Sequence, residues 1–99
     1  MQADCEYTHI QCHYKIHDVG YISDASRSIF APDCATAYIH QTPDGDDGVY
    51  EIAIMGRRVK SGLRTKISFP VRDGQVHPRG TWAPPTWAED VVRLATRGR

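Results

Sequence analysis

Alternation of apolar and polar residues with a period of two constrains the fold of this chain more than any other feature. In residues 5–18, CEYTHIQCHYKIHD, an apolar row consists of Thr8, Ile10, Cys12, Tyr14 and Ile16. A polar row between them consists of Tyr7, His9, Gln11, His13, Lys15 and His17. Successive side chains of a β-strand point to opposite faces, so this pattern predicts a half-buried strand.

Further strands are predicted along the chain. TAYIHQT at 36–42 fits a second strand, and PDGDDG at 43–48 is typical of a turn. VYEIAIMGRRV at 49–59 and LRTKISFPV at 63–71 form a predicted hairpin. Asp73-Gly74 favours a two-residue type I′ turn into Gln75, Val76 and His77. Residues 19–33 are predicted to be a connection in which Ser23 caps a short helical turn through Phe30.

The C-terminal segment predicts one amphipathic helix. Thr86 and Glu89 have the spacing of a capping box, and one face carries Trp87, Val91, Leu94 and Ala95. Single cores occupy about 50 to 200 residues, so residues 1–99 are expected to form one domain. The sequence therefore predicts an α+β fold, an antiparallel meander of four to five strands with one C-terminal helix packed on it.

The composition limits the possible cellular locations of the protein. Hydrophobic residues make up 40% of the chain, and no apolar run reaches the roughly 18 residues that span a bilayer. The N-terminus has neither a basic start nor an apolar segment, so we expect no secretory signal and a cytoplasmic location. Three cysteines without a CxxC spacing favour reduced thiols over a disulfide framework.

The formal net charge of zero conceals an asymmetry along the chain. Residues 1–51 carry nine acidic and two basic side chains, whereas residues 52–99 carry ten basic and three acidic ones. Either the two halves lie against each other and neutralise, or a basic surface faces an anionic partner.

The histidines and cysteines of the first strand raise the question of a metal site. His9, His13 and His17 share a face, but each is about 13 Å from the next along a strand, too far to chelate one ion together. A site would need ligands from elsewhere, for which His40 and Cys5 are the candidates. A solvated strand face is the simpler interpretation, and we predict no metal and no cofactor.

The hairpin is the main candidate for binding an anionic partner. It carries six basic residues, Arg57, Arg58, Lys60, Arg64, Lys66 and Arg72. A two-stranded ribbon with basic residues can follow a phosphate backbone, with strongly salt-dependent affinity. Base stacking needs exposed aromatic side chains on the same face, and the pattern shows none there.

Trp82 is the candidate anchor for a protein contact, because a tryptophan beside prolines either covers the core or serves as an exposed hot spot. Catalysis has no comparable signal. The sequence contains no GxSxG, Walker A, GxGxxG or HExxH motif, so we predict that the protein is not an enzyme.

In general layout the chain resembles small proteins of phages of GC-rich actinobacteria. The resemblance lies in the Arg-rich meander VYEIAIMGRRVKSGLRTKISFPV and the proline-led helix PPTWAEDVVRLAT. It implies binding to a host protein or to nucleic acid without chemistry of its own.

The leading hypothesis is therefore a stoichiometric protein-binding modulator that uses its charge asymmetry and an exposed sheet edge near Pro70. The alternatives are a nucleic-acid-binding protein that uses residues 57–72 and a metal-binding domain that uses the His and Cys residues of the first strand. An edge strand would also allow a homodimer.

Overall fold

A computed structural model describes residues 8–17, 19–23, 29–41 and 48–97. Its elements, in chain order, are β1 (Thr8–Lys15), β2 (Ile22–Ser23), β3 (Ile29–Gln41), β4 (Gly48–Arg58), β5 (Arg64–Arg72), β6 (Gln75–Val76) and α1 (Ala88–Arg97). The predicted α+β class is confirmed. The predicted strand number is too low, because β2 and β6 bring the sheet to six strands.

The sheet is antiparallel, and from β3 to β6 each strand pairs with the next one in the sequence, whereas β1 pairs with β3. The order is β1-β3-β4-β5-β6, and β2 also pairs with β3. β4 occupies one edge of β3 from Phe30 to His40, so β1 and β2 follow one another along the other edge. Ile16 extends the β1 pairing by donating its N–H to the carbonyl of Asp33 at 2.9 Å.

β3 begins at Ile29, seven residues before the predicted strand. The register with β4 shifts between Pro32 and Cys34, which leaves Asp33 as the extra residue of a bulge. Pro32 and Asp33 are typical of loops, yet a bulge accommodates both within a strand. The helical turn predicted through Phe30 is wrong at its end, because Ile29 and Phe30 are in β3, and residues 24–28 lie outside the described part.

The alternation predicted for β1 is confirmed from Gln11 to His17. Cys12, Tyr14 and Ile16 pack against the core, whereas Gln11, His13, Lys15 and His17 are exposed. The core lies between this face of the sheet and α1. Its buried members include Phe30, Ala35, Ala37, Ile39, Ile52, Ile54, Phe69 and Val71 from the strands and Ala88, Val91, Val92 and Ala95 from the helix.

The helix faces the core differently from the prediction. Val92 is buried and Leu94 is 51% exposed, so the apolar face runs through Ala88, Val91, Val92 and Ala95. The helix begins at Ala88, and Glu89 does not form the expected capping box. Its carboxylate instead accepts a hydrogen bond from the N–H of Val76 at 3.3 Å, which ties the first turn of α1 to β6.

The predicted turn at Asp73-Gly74 is confirmed. Both residues have positive φ, 55° and 78°, as a type I′ turn requires. The predicted turn at 43–48 falls almost entirely outside the described residues. Within the described ranges, no helix is both long and apolar enough to cross a membrane.

Candidate binding surfaces

The face of the sheet opposite α1, here called the open face, is built of rows that cross the strands. Directly opposed residues of antiparallel strands project to the same side, so the pairing fixes the members of each row. The middle row is His13, Thr36, Ala53 and Ser68. Thr36 is fully buried, and its Oγ1 lies 2.7 Å from Nδ1 of His13.

One end of the open face is basic. A row on this side of the middle consists of Lys15, Cys34, Met55 and Lys66, with both lysines exposed. Arg57 and Arg64, paired with each other, lie beyond it. Lys15 belongs to the acidic half of the sequence, so the fold adds to this surface a cation that the hairpin alone does not contain.

The six basic residues that the sequence predicted as a binding site do not all lie on one surface. Arg57, Arg64 and Lys66 share the open face. Arg58 projects to the opposite side, where its Nε donates to Oγ1 of Thr65 at 2.9 Å. Lys60 is exposed in the turn after β4, and Arg72 lies at the far end of β5 beside Asp73.

Asp33 and Arg64 join the acidic and basic halves of the sequence. Their side chains form an exposed ion pair, and Nη2 of Arg64 lies 3.8 Å from Sγ of Cys34. The hydrogen bond from Arg64 lowers the pKa of Asp33, against a smaller opposing effect of burial. Burial raises the pKa of the Cys34 thiol, and its hydrogen bond with Asp33 raises it further.

The other end of the open face is aromatic. The ring centroid of Tyr50 lies 6.4 Å from that of Tyr38 and 6.0 Å from that of His40. The register shift at Tyr38 and Ile39 leaves Tyr50 as an extra residue in β4, and its side chain turns to these two rings. Burial raises the pKa of Tyr50, and the charges of Glu51 and Tyr38 add to this effect.

The sequence pattern did not predict that Tyr38 and Tyr50 lie on the open face together with the basic residues. Tyr38 follows Cys34 and Thr36 at even spacing, which was the available signal for its position. Tyr50 gave no such signal, because its orientation depends on the bulge.

A cleft, here called the β5 cleft, lies along the outer edge of β5. It has a volume of about 530 Å³, and its lining includes Lys66, Ile67, Ser68, Arg79 and Trp82. A smaller cavity of about 260 Å³ continues past Ser68 and Arg79 to Pro70. The far wall of the cleft is a turn closed by two hydrogen bonds of 3.0 Å between the backbones of Arg79 and Trp82.

Trp82 packs on the core and also borders the β5 cleft. Its ring packs edge to face on Phe30, with centroids 5.4 Å apart, so it covers part of the core. The side chain is half-buried and also lines the β5 cleft. A partner in the cleft would therefore meet an aromatic side chain that the core already holds in place.

The histidines do not assemble a metal site in the part of the chain that is described. His9 and His40 are opposed in the β1–β3 register, so the candidate His40 lies beside the first strand at the backbone. His13 instead contacts Thr36. The described side chains contain no group of three metal-ligating residues, and Cys5 lies outside them.

No family model, curated protein or solved structure matches the chain. Function therefore has to be inferred from two surfaces, the β5 cleft and the open face.

Proposed function

We propose that the protein is a non-enzymatic binding module that forms a stoichiometric complex with another protein. In this proposal an extended segment of the partner adds as a strand to the outer edge of β5. Such strand addition combines main-chain hydrogen bonds with pockets for alternate side chains.

The orientation of backbone groups along β5 is the observation that carries the proposal. Pro70 directs its carbonyl to the outer edge, where it accepts the N–H of His77 at 2.9 Å. Backbone groups of alternate residues in a strand point the same way, so Ser68 and Lys66 direct their N–H and C=O groups to this edge. In the described part of the chain, β6 pairs only with Val71 and Arg72 and leaves these groups without a strand partner.

The sequence predicted an exposed sheet edge near Pro70. At Pro70 itself the edge is hydrogen-bonded to His77, and the part without a strand partner runs from Ser68 towards Arg64. The β5 cleft lies beside this open part and leaves room for an added chain.

The side chains around the cleft indicate the chemistry of the segment. Lys66 and Arg79 are exposed and positively charged, whereas Ile67 and Trp82 are half-buried and apolar. Lys66 and Ile67 project to opposite faces of the sheet. A complementary strand would alternate acidic residues, beside Lys66, with apolar residues, beside Ile67 and Trp82.

We further propose a host protein in the cytoplasm as the source of this segment, because the layout of the sequence resembles that of small phage proteins. No step of binding requires a cofactor or a chemical reaction.

Affinity capture from a host lysate tests the proposal when it is combined with two substitutions at one position. Ser68→Pro removes the outward N–H, and β5 already accommodates a proline two residues later, at Pro70. Ser68→Ala keeps the N–H and is the matched control. Thermal melts of both variants establish that they fold.

We expect one protein to remain bound after nuclease treatment and at about 0.5 M salt, where exposed charges are screened. Ser68→Ala should retain that protein and Ser68→Pro should lose it. Equal retention by both variants, or loss of the captured protein with nuclease, would contradict the proposal.

A further inference from the structure

We infer that the open face is a second binding site, for single-stranded nucleic acid, with bases stacked at its aromatic end and phosphates at its basic end. The substitutions that test this inference are at Tyr38, Tyr50 and Arg57, none of which lines the β5 cleft, although Lys66 belongs to both surfaces.

The aromatic end supplies a surface for stacking. Tyr38 is half-buried and Tyr50 is 37% exposed, and the two rings lie side by side at an interplanar angle of 42°. Both side chains belong to neighbouring strands in the sheet, which limits their movement. Stacking on such rings is tolerant of sequence, because every base has a π-face.

The basic end supplies charge for a phosphate backbone. Lys15 and Lys66 are exposed at the two ends of one row, with two strands between them, so their Cα atoms are about 14 Å apart. Arg57 is exposed beside this row, and its Nη1 donates to the carbonyl of Gly62 at 3.0 Å. Arg64 contributes less, because Asp33 neutralises it.

The positions of the two ends suit a single strand better than a duplex. Tyr38 and Cys34 are four residues apart in β3, so the aromatic and basic rows are separated by about 13 Å. A single-stranded nucleic acid that crosses the β-strands can place its phosphate backbone over the basic row and turn its bases towards the tyrosines. Bases in a duplex are already stacked on one another and cannot use the rings.

Fluorescence anisotropy with a labelled oligothymidylate of about eight nucleotides tests the inference. We expect affinity to fall as salt rises from about 50 to 200 mM. Tyr38→Leu and Tyr50→Leu should each weaken binding by about five- to a hundredfold without changing the salt dependence. Leu94→Ala is the control, because Leu94 is 51% exposed and lies on α1, on the other side of the sheet from the open face.

Charge substitutions give an independent measurement. Arg57→Gln should reduce the slope of log affinity against log salt by about 0.7, the value for one phosphate contact on a single strand. Arg93→Gln on α1 removes the same charge from an exposed position away from the open face, so the slope should stay as in the unmodified protein.

Four results would overturn the inference. The first is no binding at about 50 mM salt, and the second is binding of a duplex of the same length as tightly as the single strand. The third is unchanged affinity in both tyrosine variants. The fourth is displacement of the oligonucleotide by polyglutamate added at equal charge. Thermal melts of all variants separate loss of binding from loss of folding. A negative result in these binding measurements would not change the interpretation of the Ser68 experiment.

Discussion

Gly56 in β4 and the carbonyl of Ala31 in β3 approach so closely that a Cβ on Gly56 would lie 2.0 Å from the carbonyl oxygen. The contact occurs beside the Asp33 bulge, where Pro32 opposes Gly56. Only a residue without a side chain allows the two central strands to pair at this point.

Gly56→Ala should therefore destabilise the protein. The clash is with backbone, which cannot rotate away, and overpacking of this kind costs about 1 to 3 kcal/mol or more. Urea denaturation measures the change in the free energy of unfolding. Gly48→Ala is the control, because a Cβ there meets nothing within 4 Å, and we expect a change within about 0.5 kcal/mol. Equal effects at the two glycines would contradict the close approach.

The orientation of α1 predicts opposite results for two neighbouring apolar residues. Val92→Ala should cost about 2 kcal/mol, because it removes buried methyl groups and leaves a cavity. Leu94→Ala should change the free energy of unfolding by less than about 0.5 kcal/mol, because Leu94 is exposed. Chemical denaturation of the two variants distinguishes this orientation from the one that the sequence pattern predicted, in which Leu94 faced the core.

The Asp33–Arg64 ion pair predicts a pH dependence of stability. Its hydrogen bond lowers the pKa of Asp33 in the folded state, so the stabilisation is present above about pH 4 and is lost as pH falls through the lower folded-state value. Arg64→Gln should lower the urea midpoint slightly at neutral pH, since the pair is exposed.

At pH values below the folded-state pKa of Asp33, the midpoints of Arg64→Gln and the unmodified protein should converge. Lys60→Gln, in the neighbouring turn, should show no such convergence. A difference between Arg64→Gln and the unmodified protein that is constant across pH would contradict the assigned role of the pair.

Cys34 should react more slowly with iodoacetamide than an ordinary thiol, because burial and Asp33 raise its pKa and the thiolate is the reactive form. Asp33→Asn should speed the reaction by removing a charge that disfavours the thiolate. Arg64→Gln should slow it, because Arg64 favours the thiolate. Peptide mapping by mass spectrometry gives the rate at Cys34 separately from the other cysteines. Changes of the same sign in both variants would refute this electrostatic assignment.

Much of the sheet could be predicted because its signals are local. The alternation in β1 depends on which side chains share a face, and the turn at Asp73-Gly74 depends on the ability of both residues to adopt positive φ. The start of β3 was missed because Pro32 and Asp33 indicate a loop unless a bulge accommodates them. The helix face was misjudged between Val92 and Leu94, since both fit an apolar stripe at helical spacing and only the sheet beneath selects one.

The binding surfaces were less predictable, because they depend on pairing between distant segments. The basic character of residues 57–72 is evident in the sequence, but the position of Lys15 in the same row follows from the β1–β3 register. Tyr50 reaches the open face through a bulge that no local pattern predicts. The edge of β5 could be anticipated from Pro70 alone, whereas its open part depends on how short β6 is.

The sequential strand order has a consequence for how the chain folds. β3, β4 and β5 pair as consecutive hairpins, and no strand is inserted between them from a distant part of the chain. Closing short loops costs little entropy, and chains dominated by local contacts fold faster than those with long-range pairing. The β4–β5 hairpin has five residues between its strands, and α1, which covers the apolar face of the sheet, follows all the strands in the sequence. Synthesis from the N-terminus would thus leave the apolar face uncovered until α1 has emerged.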